Sequence, residues 1–290
     1  MKKPLVLLLS LVVGATAATA QNPAAFALFD GQGRAADFEQ LVAKAAQSDM
    51  VFFGELHDNP LAHWMQLLLA QRLEALDGKG LLMGAEMLEA DNQLLLDEML
   101  AGLIEEGKFE EEARLWPNYA TDYRPLVQFA AEKGLRFVAT NVPRRYASVM
   151  FKKGEQALEA FPETSKAYMA PLPLRFDPGL GCYAEMIQMG AMMPGHDSEN
   201  FAKSQALKDA TMAHFILKAW SPGQVFLHFN GSFHSDRHQG IVWHIEQQRP
   251  GLRHLVVTTV LQSQLQSLDP ENKGLADFIL VVDERMTSTH

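Results

Sequence analysis

The sequence predicts an α/β protein: a mainly parallel β-sheet flanked by helices, with helical insertions forming a lid over its carboxyl edge. Three observations predict it. Six short apolar runs, at 50–54, 80–86, 135–140, 224–230, 253–260 and 277–282, are continuous rather than alternating. That is the pattern of strands covered on both faces. Helix-like stretches separate several of them, which implies right-handed βαβ connections. Polar residues gather at the exits of the runs, the rim where open α/β sheets take ligands.

The chain opens on Met1-Lys2-Lys3, a Leu/Val-rich run from Leu5 to Val13, and Ala18-Thr19-Ala20. A positive start, a short apolar core and Ala-x-Ala are the three parts of a secretory signal peptide, expected over 1–20. The run is too short to cross a bilayer, and no Cys stands at the cleavage site. The mature chain, 21–290, is therefore expected to have no membrane anchor and to be periplasmic or secreted. Cys182 is the only cysteine, so no internal disulfide forms and the core holds the fold unaided. About 270 mature residues can build one large domain with insertions. The net charge is −10, or −12 without Lys2 and Lys3. Such acidity argues against nucleic acid or an anionic membrane as the main partner.

Along the mature chain, Met50-Val51-Phe52-Phe53 leads into Gly54-Glu55-Leu56-His57. Asp58-Asn59-Pro60 then supplies a cap and a proline for a first helical turn. Leu61, Met65, Leu68, Leu69, Leu73 and Leu76 mark one apolar helix face, and Asp77-Gly78 ends it. The second run ends on Glu86. Residues 88–122 read as two helices, with Asp91 as a cap and Gly107 as a break. A helix over 124–133 enters the third run, which ends on Asn141 before Pro143-Arg144-Arg145. Residues 144–202 mix helical pieces, prolines and a methionine cluster at Met186, Met189, Met192 and Met193. Both irregular stretches follow strand tips, so they are expected to roof the site. A helix over 203–220, stopped by Ser221-Pro222-Gly223, precedes the fourth run, which leads into Gly231-Ser232-Phe233-His234.

Two copies of Gly-x-x-His thus stand at strand exits, with Glu86 at a third. His57, Glu86 and His234 are the expected centre, either as ligands of a divalent metal or as groups that activate water. A carboxylate at the end of an apolar strand is costly unless it ligates or is paired, so Glu86 is either functional or half of a buried ion pair. Glu55 lies two residues before His57 and shares its face on an extended backbone. It either orients an imidazole or pairs with Arg144 or Arg145. Arg145 is a candidate to steady a developing oxyanion; either arginine could also neutralise Glu86, hold a substrate carboxylate or simply be solvated. His238 is four residues after His234, but Gly240 argues against a helix there, which makes it a rim residue. His228, inside a run, reads as a core histidine. The methionines read as lid packing or as a groove for a flat apolar ligand.

Taken together, Gly-Glu-Leu-His-Asp-Asn-Pro, Met-Gly-Ala-Glu-Met, Trp116 with Tyr123-Arg124-Pro125-Leu126, Ala-Thr-Asn-Val-Pro-Arg-Arg and Lys-Asp-Ala-Thr-Met-Ala resemble the ChaN-like haem-binding uptake proteins. These share a superfamily with the Tiki proteases, the plasmid TraB proteins and the erythromycin esterases. The likeness runs from about residue 30 to the C-terminus. It implies that His57, Glu86 and His234 form the superfamily's active centre, and that the protein binds haem for iron uptake through a tyrosine ligand at a homodimer interface. Tyr123 and Tyr146 are the candidate ligands, since phenolate is an axial ligand of ferric haem. The two functions expected are therefore exported haem binding and, as the alternative, metal-dependent hydrolysis by a peptidase or esterase.

Overall fold

The computed structural model describes residues 24–76, 78–192, 194–195 and 197–289. The expected signal peptide lies outside the described residues, as do Asp77 and Met193. The strands are β1 (Phe26–Asp30), β2 (Ala35–Ala36), β3 (Met50–Glu55), β4 (Gly80–Glu89), β5 (Phe137–Asn141), β6 (Gln224–Gly231), β7 (His254–Gln262) and β8 (Phe278–Asp283). They form one sheet in the order β2-β1-β8-β7-β3-β6-β4-β5. From β8 to β5 every pairing is parallel, while β1 runs antiparallel to both of its neighbours. The six apolar runs are the six parallel strands. β1 and β2 are absent from the sequence reading because Phe-Ala-Leu-Phe-Asp and Ala-Ala carry little strand signal and acquire it by pairing at the sheet edge.

The helices are α1 (Phe38–Gln47), α2 (Pro60–Glu74), α3 (Gln93–Leu100), α4 (Glu106–Glu112), α5 (Arg124–Lys133), α6 (Arg144–Lys153), α7 (Gln156–Glu159), α8 (Glu163–Lys166), α9 (Gly181–Ala191), α10 (Ser198–Ala219) and α11 (Ile241–Gln248). At the start of α2, Asn59 is the cap, its side chain accepting from Leu61 N and Ala62 N. Helix α10 begins at Ser198, earlier than its apolar pattern suggests, because Asp197 caps it. Two expectations for 88–122 are corrected. Asp91 caps nothing; it pairs with Arg114 and Arg145. Gly107 is the second residue of α4 and breaks no helix.

Successive strand residues bury on opposite faces, which explains the continuous apolar runs. Val51, Phe53, Met83, Leu227 and Val257 pack with α1, α2 and α5 on one side. Phe52, Leu82, Phe226 and Val256 pack with Met212, Ile216 and Ile241 of α10 and α11 on the other. A third core, including Tyr146, Met150, Tyr183 and Leu207, is internal to the second insertion and joins it to α10.

The strand order decides the site. β6, late in the chain, is inserted between β3 and β4. The exits of three strands far apart in sequence therefore stand side by side. β4 also does not stop at Glu86: it continues to Glu89 through a bulge, with Ala85 opposite Ala139 and Glu89 opposite Asn141. Such an irregularity re-aims a side chain, and here it turns Glu86 toward β6. Gly54 permits the close approach of the two motif loops: a Cβ there would stand 2.9 Å from Ser232 Cα and 3.0 Å from Val257 O. Gly54→Ala is expected to destabilise the fold by about 1–3 kcal/mol through overpacking, read as a lowered urea midpoint with unchanged slope; a midpoint equal to the parent's would show that the loops part freely.

Candidate functional site

His234 ends a short 3₁₀ turn after β6 and is buried. Its Nε2 lies 3.0 Å from Glu86 Oε1, and its Nδ1 contacts Asp209 of α10. Burial works against a charge on this ring, but the two carboxylates outweigh it and push its pKa up to about 10. His234 is thus an imidazolium clamped between two anions. Burial likewise works against charge on Glu86, yet the His234 charge and bond, with Gly231 N–H donating at 2.8 Å, hold its carboxyl well below the usual range. Asp209 also accepts from Tyr183 OH at 2.9 Å, and that hydroxyl in turn lies 3.0 Å from His244 Nε2. Gly240 is left-handed (φ +56°) and sits where a Cβ would stand 2.3 Å from His234 O, so only glycine closes this loop.

His57 follows β3 and faces Glu55. Its Nδ1 lies 2.9 Å from Glu55 Oε1, and its ring meets Trp116 edge-on at 4.7 Å. Glu55 is buried and fully partnered: Tyr123 OH donates to it at 2.7 Å and Gln66 Nε2 at 2.6 Å. Burial lowers the His57 pKa, but the Glu55 hydrogen bond and the Glu86 and Glu55 charges outweigh it and raise it. The His57 carbonyl is held as well, by Asn118 Nδ2 at 2.7 Å and His63 Nε2 at 3.1 Å. Asn118 precedes and Tyr123 ends a π-helical turn, Tyr119–Tyr123, a local irregularity of the kind found at functional sites. Asp122 on that turn accepts from Asn118 and, at 2.7 Å, from Thr289 Oγ1 near the chain end.

The structure therefore brings His57, Glu86, His234 and Glu55 together, and Gly231 is their meeting point: a Cβ there would stand 2.9 Å from His57 Cε1 and Nε2 and 3.5 Å from Glu86 Oε2. Other expectations are corrected. The anticipated pairing of an arginine with Glu86 or Glu55 is not made. Arg144 bonds Glu89, and Arg145 bonds Asp91 at 2.6 Å and lies over the Tyr146 ring, outside the cleft. A metal held by His57, Glu86 and His234 does not fit, because both His234 nitrogens already serve carboxylates; among the described residues no group of His, Cys, Asp and Glu is arranged to hold a metal ion. Neither candidate tyrosine opens into the cleft: Tyr123 donates to Glu55, and Tyr146 packs in the third core with its hydroxyl on Arg145 at 3.0 Å. His238 pairs with Asp277 at 3.1 Å, away from His234. His228 is a buried core histidine, bonded to Thr140 and Asn230, and burial pushes its pKa down to about 4.

Asp209, His63 and Gln66 escaped the sequence reading. Asp209 stands in the Lys-Asp-Ala-Thr-Met-Ala segment of the family resemblance, where no role was assigned to it; the further signal is position, since Asp209 shares an apolar stripe with Ala202, Ala206, Ala213 and Ile216, and the other two lie on the buried face of α2. A charge on an apolar stripe must find a partner.

Over these residues lies a cleft of about 1490 Å³. Its apolar wall includes Val142, just after β5, with Trp116 from the first insertion and Phe151, Met186, Met189 and Phe201 from the second. Lys208, half-buried on α10, lines it and has no hydrogen-bonded or ionic partner among the described residues.

Fold and site define an α/β protein with a roofed carboxyl-edge cleft above two carboxylate-bound histidines. The chain belongs to the family described as haem-binding uptake, Tiki superfamily, ChaN, whose profile matches residues 41–245. Among solved structures it is similar to ChaN of Campylobacter jejuni, described with cofacial haem binding, at 17% identity and a TM-score of 0.67, over 89% of this chain and 97% of that one. A Bacillus cereus protein is similar at 11% identity and a TM-score of 0.51, over 84% of this chain and 90% of that one. At these identities the likeness is one of fold. No curated protein matches the sequence.

The raised pKa of His234 fixes a pH dependence. Its contribution to stability is complete below its unfolded value, about 6.5, and is lost as pH rises through about 10. Urea-denaturation stability is expected to fall between pH 7 and pH 10 in the parent and to lose that slope in His234→Gln. Equal slopes in the two proteins would place the charge elsewhere.

Proposed function

We propose that this chain is an exported haem-binding protein of haem or iron uptake, holding haem in the carboxyl-edge cleft. The observation that carries the reading is the cleft: large, walled by aromatic and methionine side chains, and provided with an unpaired cation. A flat apolar macrocycle with acidic side groups asks for those features. Trp116, Phe151, Met186, Met189 and Phe201 would hold the ring, and Lys208 an acidic group. Bound haem supplies an iron centre for carriage; the protein's own part is to enclose the ring and fix its orientation. Met189, Met192, Phe233 and Leu261 are exposed large apolar side chains, and three of them line the cleft. A second copy covering that rim accords with the homodimer that the family resemblance implies. Export rests on the N-terminal pattern of the sequence. Among the described residues no helix is long and apolar enough to cross a membrane.

A second reading is metal-independent hydrolysis in the same cleft. One observation favours it: His57 is oriented by Glu55 through Nδ1, has no protein hydrogen bond at Nε2 among the described residues, and lines the cleft. That is the arrangement of a general base. Any hydrolysis is then expected to vanish in His57→Ala and to survive chelation.

Titration of the protein with hemin is expected to shift and sharpen the Soret band to a defined stoichiometry. Lys208→Ala should raise Kd about tenfold, equal to roughly 1.4 kcal/mol. No spectral change in the parent would remove the haem reading.

A further inference from the structure

We infer that Thr289, on a strap that follows β8, is a positioning residue of the cleft: it ties the loop after β3 to the π-helical turn and so fixes His57 and Trp116. Its bearing on ligand binding rests on the haem reading above; the placement of His57 does not.

The strap is pinned along its length. Glu284 N–H donates to Gln262 O, at the end of β7, at 3.0 Å, and Met286 N–H to Asp283 O at 2.9 Å. Met286 also packs against the first core. The chain thus passes from β8 beyond the end of β7, the strand between β8 and β3, to the loop that follows β3. There Thr289, half-buried, donates from its backbone N–H to Asp58 O at 2.9 Å. Its Oγ1 lies 2.7 Å from Asp122 Oδ2 and 3.2 Å from the same Asp58 carbonyl. A hydroxyl has one proton, and the shorter contact, to a carboxylate, takes it. The backbone of Thr289 therefore holds Asp58 and its side chain holds Asp122. Residue 289 lies outside residues 41–245, the part of the chain that the family profile matches.

Asp122 is 3% exposed. A carboxylate so buried is costly unless its oxygens are hydrogen-bonded. Besides Thr289, Asn118 Nδ2 donates to Oδ2 at 2.7 Å, and His63 Nε2 stands 3.7 Å away. The same two side chains hold the His57 carbonyl, at 2.7 and 3.1 Å. Without the Thr289 hydroxyl, Asp122 lacks a donor and regains one by turning toward water. That turn draws Asn118 off the His57 carbonyl. The π-helical turn carries two further links to the cleft. Tyr119 N–H donates to Trp116 O at 3.0 Å. Tyr123 OH donates at 2.7 Å to Glu55 Oε1, the oxygen that faces His57 Nδ1 at 2.9 Å. A displaced turn therefore moves the cleft wall through Trp116 and the His57 ring through Glu55.

The test is an NMR pH titration of the His57 ring in the parent, Thr289→Val and Thr289→Ser, with a hemin titration of each. Valine keeps the shape of threonine and loses the hydroxyl; serine keeps the hydroxyl. The charged groups around the His57 ring are Glu55, Glu86 and His234. Burial and the His234 charge work against a proton on it, and the two carboxylates outweigh them. In Thr289→Val the Glu55 bond loosens, so the His57 pKa should fall by about half a unit. The Kd for hemin should rise about threefold in the same variant. Thr289→Ser should return both to the parent's values. A lowered urea midpoint in Thr289→Val with an unmoved His57 titration would show a merely structural role and overturn the assignment. In the parent itself, nuclear Overhauser contacts are expected from Thr289 to Asp58 and Asn118; their absence would overturn it without any variant, which keeps the test decisive if Thr289→Val fails to fold. Hemin binding to no form of the protein would overturn the haem reading, while the His57 titration would still decide the placement.

Discussion

Glu86, His234 and Asp209 come from a bulged strand, a loop after another strand and the helix α10 packed on the sheet, and one imidazolium joins them. Burying three ionised groups costs several kcal/mol per ion unless each is paired and hydrogen-bonded. The surroundings answer that demand: Gly231 N–H on Glu86, Tyr183 OH on Asp209, and His244, kept neutral by burial, behind the tyrosine. Buried pairs add little stability over an apolar core of the same volume, but removing one member strands the others at about 3–5 kcal/mol. The triad therefore fixes geometry. It dictates where α10 crosses the sheet edge, and with it where Lys208, one residue before Asp209, meets the cleft.

The second constraint is Glu55. A single buried carboxylate gathers His57, Tyr123 and Gln66, and the His57 carbonyl is clamped by Asn118 and His63. With both ring orientation and backbone held, little freedom is left to His57. Rigidity of this kind suits a group that must keep one orientation in a site. The two histidines that share the Gly-x-x-His pattern thus have opposite states: one is saturated by carboxylates, the other is presented to the cleft.

Much of the architecture was legible in the chain. Continuous apolar runs are what double-sided burial requires, and six of them gave the parallel strands. The Gly-x-x-His motifs and the placement of Glu86 gave three of the four groups at the centre, because each stands at the end of such a run. Pairing partners were less legible. Arg144 and Arg145 follow the third strand closely and invited assignment to Glu86, yet Glu89 and Asp91, carried past Glu86 by the bulge, meet them first. Tyr123 beside the strand tips invited a ligand role, whereas its hydroxyl points inward to Glu55.

By itself the sequence determined the fold class, the positions of the parallel strands and the placement of His57, Glu86 and His234 at strand exits, since hydrophobic period and strand-end polarity are local properties of the chain. Only the tertiary structure decided that β6 inserts between β3 and β4, that Asp209 joins Glu86 on His234, and that His234 is saturated while His57 lines the cleft. Protonation and availability depend on which charges arrive from elsewhere in the chain and on how deeply they are buried. Neither is written in the spacing of residues along one strand.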